Sequence, residues 1–88
     1  MKFIQVGYGN LVLADRIVGI TSVDSSPVKR AIREARKRGM VIDATQGKKT
    51  RSAIFMDSNH IVVSIYKPLN FINKLGLGEV EENEDGEV

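Results

Sequence analysis

Cysteine and tryptophan are absent from this 88-residue sequence, proline occurs twice and histidine once. Absence of cysteine excludes disulfides and thiolate metal sites, and makes a reducing compartment the simplest setting. No apolar run approaches the roughly 20 residues that a membrane-spanning helix needs. The opening MKFIQVGYGN has one lysine and then breaks at glycines, too early for a signal peptide. A cytoplasmic protein is expected. Aromatics are few: Phe3, Tyr8, Phe55, Tyr66 and Phe71 are scattered and form no platform of the kind that stacks single-stranded bases. Catalytic signatures are also missing. There is no P-loop, no cysteine nucleophile and no pair of carboxylates in an apolar setting. GYGN at 7–10 lacks the third glycine and the βαβ surroundings of a dinucleotide fingerprint, and reads as a turn. His60 lies in DSNH, where Asp57 could orient it and Ser58 offers a hydroxyl, but Asp, Ser and Asn are expected in any turn. A lone histidine without a second ligand is a weak metal site. Neither an enzyme nor a bound metal or cofactor is expected.

What the sequence does have is charge, unevenly placed. The formal net charge is +2. Residues 79–88, EVEENEDGEV, hold six of the eleven acids and no base. The first 78 residues hold all thirteen Lys and Arg against five acids, a net of +8. The chain divides into a basic body, 1–78, and an acidic tail, 79–88, too poor in apolar residues to fold. A small body with this charge attracts polyanions.

Along the body, KFIQV (2–6) and LVL (11–13) read as short strands around the GYGN turn, and RIVGITSV (16–23) as a longer strand in which Gly19 suggests a bulge. After Asp24, SSPVKRAIREARKRG (25–39) predicts a helix. Ser26 is a candidate N-cap, Pro27 suits the first helical position, and Gly39 suits the residue after the C-cap. Val28, Ala31, Ile32 and Ala35 make one apolar stripe. MVIDAT (40–45), TRSAIFM (50–56) and HIVVSIY (60–66) read as three successive strands joined by hairpin-length QGKK and DSNH. The last is apolar on both faces, hence buried on both, and a second subunit is one way to supply the second cover. LNFINKLGL (69–77) could form a short terminal helix with Phe71, Ile72 and Leu75 on one side. The expected fold is α+β: a small antiparallel sheet, one main amphipathic helix and a short C-terminal helix.

Ten of the thirteen cations lie between Arg16 and Arg51. Lys29, Arg30, Arg33, Lys37 and Arg38 fall on the helix side away from the apolar stripe, Arg36 borders it, and Glu34 alone interrupts them. An ordinary solvated face mixes signs to form i, i+4 pairs; this one leaves repulsion uncompensated unless an anion or an acidic surface arrives. Lys48, Lys49 and Arg51 follow Gly47 on a turn able to project outward. Lysine holds phosphate as a mobile point charge and arginine as a bidentate fork. Such contacts give affinity and position rather than base information. With no stacking platform, duplex DNA is favoured over RNA or single strands.

GYGN at 7–10, Arg16-Ile17, Asp24 with SSPVKR at 25–30, GMVIDATQGKKTRSAI at 39–54 and MDSNHIVVS at 56–64 occur here in one order and spacing. Together they resemble the RemA family of small bacterial regulators of extracellular-matrix (biofilm) genes, over about residues 2 to 70. The resemblance implies a ring-shaped homo-oligomer that binds duplex DNA around a basic outer rim and acts in the nucleoid. Its DNA-contacting positions map to Arg16, Lys48 and Lys49. Arg51 joins them on charge and placement, and Lys29, Arg30 and Arg33 remain secondary candidates for DNA or for a subunit interface. Pro27 matches a proline important in the family and reads as helix-start geometry. Where the family usually has Gly-Arg-Arg-Thr-Arg, this chain has GKKTR: charge is kept, but the bidentate fork is lost at two positions. An RNA-binding module of similar charge and a structural ring without nucleic acid are the alternatives.

Overall fold

The computed structural model describes residues 2–72; the tail at 79–88 and most of the expected terminal helix lie outside the described residues. The element order is β1 (Phe3–Gly7), β2 (Asn10–Leu13), a 3-10 turn (Ala14–Arg16), β3 (Ile17–Ser22), α1 (Ser26–Lys37), β4 (Val41–Asp43), β5 (Ser52–Met56), β6 (Ile61–Ser64) and a second 3-10 turn (Pro68–Phe71). This is the expected α+β content. β1 and β2 form an antiparallel ribbon closed by the GYGN turn. The other strands form one sheet in the order β3-β5-β6-β4. Pairings within it are antiparallel except β4 with β6, which run parallel.

That parallel pair corrects one expectation. QGKK does not close a hairpin, because β4 does not pair with β5. Instead β3, α1 and β4 make a crossover that carries the chain from one edge of the sheet to the other. Residues 44–51 then return over the end of β6 to start β5. The DSNH hairpin between β5 and β6 is present, with Phe55 paired to Ile61 and Ser52 to Ser64.

β6 is buried on both faces, as its sequence requires. Both covers come from the same chain, so the burial is no argument for a second subunit. On one face, Ile54 and Val62 pack with Ile4 and Val6 of the ribbon, Ala44 and Phe71. On the other, Ala53, Ile61 and Val63 pack against Ala35, with Val28, Ala31 and Ile32 of the predicted stripe beside them. A helix, a sheet and a ribbon thus form three layers around two small cores. The Ser64 hydroxyl, fully buried, donates to the Val6 carbonyl at 2.7 Å and accepts from the Tyr66 N–H at 3.1 Å, tying ribbon to sheet. Gly7 is needed where the layers meet. Its φ is +135°, and a Cβ there would stand 2.7 Å from the Ala44 carbonyl oxygen.

Helix α1 starts one residue earlier than expected. Ser25, not Ser26, is the N-cap, and its hydroxyl accepts from the Val28 N–H at 3.4 Å. Pro27 is therefore the second helical residue, still among the first four N–H groups that have no intrahelical acceptor. At the other end, Met40 N–H bonds to Ala35 O at 2.8 Å and Gly39 N–H to Arg36 O at 3.0 Å. This pair of bonds is a Schellman arrangement, with Gly39 in the expected position after the C-cap. The expected bulge is also present. Ile17 pairs with Met56 and Gly19 with Phe55, which leaves Val18 as the extra residue, 73% exposed.

Candidate nucleic-acid interface

The segment that follows β4 is built from short-range polar contacts. Asp43 Oδ1 accepts the Thr45 N–H at 2.8 Å and the Thr45 hydroxyl at 2.6 Å. An aspartate that captures the backbone two residues on starts a turn without help from a paired strand. Thr45 is buried, and its carbonyl accepts the Lys48 N–H at 3.0 Å. Between them Gln46 and Gly47 have φ of +51° and +81°, the left-handed conformation that a tight turn of the primed type demands at both central residues. The exit is fixed as well: Arg51 N–H bonds to Ser64 O at 2.7 Å. The loop is thus anchored to β4 at one end and to β6 at the other, while the side chains of Lys48, Lys49 and Arg51 are exposed.

Electrostatics follow from this geometry. The Thr45 hydroxyl holds the Asp43 carboxyl below its ordinary value, the Thr45 N–H adds to this, burial opposes it, and the nearby Arg36 charge contributes a further lowering. Asp43 is therefore held ionised by the turn, feels the charge of Arg36, and forms no ion pair among the described residues. Among the described residues, the ion pairs are Arg16 with Asp57 at 3.0 Å and Lys37 with Glu34 at 3.6 Å. Lys48, Lys49 and Arg51 have no acidic partner there.

The candidate cations do not form one patch. Arg16 precedes β3, whose first residue pairs with the last residue of β5, while Arg51 immediately precedes β5. The two therefore sit at opposite ends of the sheet: Arg16 lies opposite Asp57, six residues along from Arg51, or about 20 Å at 3.3 Å per residue. Arg16 is fixed to the β5–β6 turn: its carbonyl accepts the Asp57 N–H at 2.9 Å and its guanidinium donates to Asp57 Oδ2 at 3.0 Å. Asp57 is thus a partner of Arg16 and not the orienting group proposed for His60, whose Nδ1 instead lies 2.7 Å from the Ser58 hydroxyl. Among the described residues no group of three His, Cys, Asp or Glu could hold a metal ion.

At the loop's own end of the sheet the structure adds partners. A groove of about 210 Å³ separates α1 from the loop, lined by Lys29, Ile32, Arg36, Thr50, Val23 and Val63. Successive helix residues turn by about 100°, so Lys29 and Arg36 share that flank of α1, and Arg30, Arg33 and Lys37 point to its outer side. Arg38 lies on the other flank, beside His60 at the far end of the sheet. Of the secondary candidates, then, Lys29 lines the groove beside the loop, and Arg30 and Arg33 do not.

Residues 3–75 match the RemA-like family, extracellular matrix regulatory protein A-like. The chain belongs to that family. Its relatives cover nearly all of it. A protein of Acetivibrio thermocellus, named a regulatory protein, is 48% identical over 84 residues, covering 96% of this chain and 90% of the relative. One from Geobacillus kaustophilus, similarly named, is 48% identical over 86 residues and 98% of each chain. One from Clostridium perfringens is 46% identical over 87 residues, 99% of this chain and 98% of its own. For this RemA-like chain, sequence reasoning found the loop cations but missed what holds them. The Asp-x-Thr pattern at 43–45 is a readable turn signal. The approach of Arg36 and Thr50 across the groove has no local signature.

Proposed function

We propose that this RemA-like protein is a regulator that binds duplex DNA and controls transcription of extracellular-matrix genes as a ring-shaped homo-oligomer. The observation that carries the reading is the loop 44–51, which fixes its backbone at both ends while presenting Lys48, Lys49 and Arg51 with no acidic partner among the described residues. A pre-ordered cationic loop loses little freedom on meeting a phosphate, and so binds better than the same charges on a floppy one. Arg16 is the fourth contact. Its place at the opposite end of the sheet makes assembly part of the mechanism, because repeated copies would set both ends along one rim. Three or four phosphate contacts per subunit are weak alone and strong when several subunits engage one duplex.

Assembly has its own support. Phe3, Leu11, Val18 and Leu69 are large apolar side chains left exposed. A groove of about 500 Å³ between β3 and residues 68–72 is lined by Ile17, Val18, Ile20, Leu69 and Phe71. This exposed apolar surface supports a contact with another copy. A duplex that follows a small ring must bend against a persistence length of about 50 nm, which favours flexible sites without any base contact. Such a regulator works in the cytoplasm on the nucleoid. No helix of the described residues is long and apolar enough to cross a membrane.

The test is mass determination in solution, with and without a duplex of defined length, combined with competition between that duplex and a structured RNA. The expected results are an oligomer that keeps its mass when loaded and a preference for the duplex. A monomer, or displacement of the duplex by RNA, overturns the reading.

A further inference from the structure

The groove between α1 and the basic loop has no role in the contacts just described. Two of its six lining residues are cations, Lys29 and Arg36, two turns apart on one helix flank; a third, Thr50, lines it from the loop side. No ion pair engages either cation among the described residues, although Glu34 and Asp43 are close in sequence or space. Asp43 is held in its ionised form by Thr45 and lies near enough to Arg36 to act on its charge, so an anion in the groove shares that guanidinium with it. The rest of the lining is apolar: Val23, Ile32 and Val63. Both cations are exposed, and an anion between them also meets the apolar wall, which keeps water from one side of it.

We propose that Lys29, Arg36 and Thr50 form a phosphodiester seat. One backbone phosphate lies between the ammonium, the guanidinium fork and the donated Thr50 hydroxyl, and the adjoining deoxyribose rests on Ile32 and Val23. This rests on the DNA-binding reading and extends it. Lys49 and Arg51 flank Thr50 in sequence, so the seat lies next to the loop cations. The guanidinium of Arg36 supplies the bidentate donor that lysines at 48 and 49 cannot. The apolar floor offers nothing to hydrogen-bond a ribose 2′-hydroxyl, which favours DNA over RNA at this point.

The experiment compares duplex binding by the full chain over a range of salt. Lys29→Gln with Arg36→Gln should lower the slope of log K against log salt by about 0.9, the value for one neutralised phosphate. Thr50→Val changes no charge, so it should weaken binding several-fold at unchanged slope, a result that a general charge effect would not produce. Arg30→Gln with Lys37→Gln removes the same charge from the outer side of α1 and is the control. If the control pair matches the seat pair and Thr50→Val binds like wild type, the seat is overturned. If wild type binds no duplex at all, the functional proposal fails instead, and the seat is judged with inorganic phosphate. Shifts of the Thr50 and Arg36 amide resonances that Arg36→Gln abolishes would keep the seat as a site for free phosphate; their absence overturns it.

Discussion

Replacing Gly7 by alanine should destabilise the protein by about 2–6 kcal/mol, and the structure says where that comes from. The residue's φ of +135° is one that side-chain-bearing residues rarely adopt; holding a residue in such a region costs about 1–3 kcal/mol. The added Cβ would lie 2.7 Å from the Ala44 carbonyl oxygen, a backbone atom that cannot swing aside. Relieving such overpacking costs a further 1–3 kcal/mol or so. A chain of 88 residues is stabilised by roughly 4–13 kcal/mol in all, so the loss is a large share. Ala44 also opens the basic loop, and its N–H bonds to Val63 O at 3.0 Å, so displacement there disturbs the site as well as the core. Gly47→Ala is the matched control: φ is +81°, but nothing lies within 4 Å of the added carbon, and about 1–2 kcal/mol is expected. Urea denaturation of the two variants measures the difference. A Gly7→Ala loss below 1 kcal/mol, or one equal to that of Gly47→Ala, would refute the close approach of ribbon and loop.

Three further outcomes follow from single contacts. Ser64→Ala removes a buried hydroxyl that both donates to Val6 and accepts from Tyr66; a loss of about 1–3 kcal/mol in denaturant is expected from the stranded groups. Asp43→Ala should cost about 1 kcal/mol and loosen the loop, since it frees both Thr45 donors. Because the folded-state value of Asp43 lies below its ordinary 3.8, its contribution is complete above about pH 4 and is lost as pH falls through the lowered value; acid titration of wild type against Asp43→Asn reads this out. Asp57→Asn should leave stability within about 0.5 kcal/mol, because its pair with Arg16 is exposed. It should tighten duplex binding by releasing Arg16, which a binding isotherm at fixed salt measures.

How far these features were legible depends on the range of the interaction behind each. Helix α1 was readable because its stripe, cap and C-terminal glycine are local signals; even there, two adjacent serines competed for the cap, and only Ser25 places its hydroxyl toward the Val28 N–H. The burial of β6 on both faces was readable from Ile61, Val62, Val63 and Ile65, which put apolar residues on both sides of the strand. Its covers were not, because Ile4 and Phe71 reach it from opposite ends of the chain. The hairpin expected at QGKK failed for a definite reason. Gln46 and Gly47 do form a tight turn, but turn composition says nothing about whether the flanking strands pair. Here β6 inserts between β4 and β5. In the site, the exposed loop cations were visible as charge, whereas the Arg16–Asp57 pair spans 41 residues. Its position at the far end of the sheet follows from strand direction, which no local pattern encodes.

The central claim is that the fixed loop contacts duplex phosphates, and the salt dependence of binding by Lys48→Ala with Lys49→Ala tests it most directly. The slope of log K against log salt should fall by about 1.8, from two phosphates at about 0.9 each, while the mass of the oligomer stays unchanged. A double variant that keeps the wild-type slope would contradict the account.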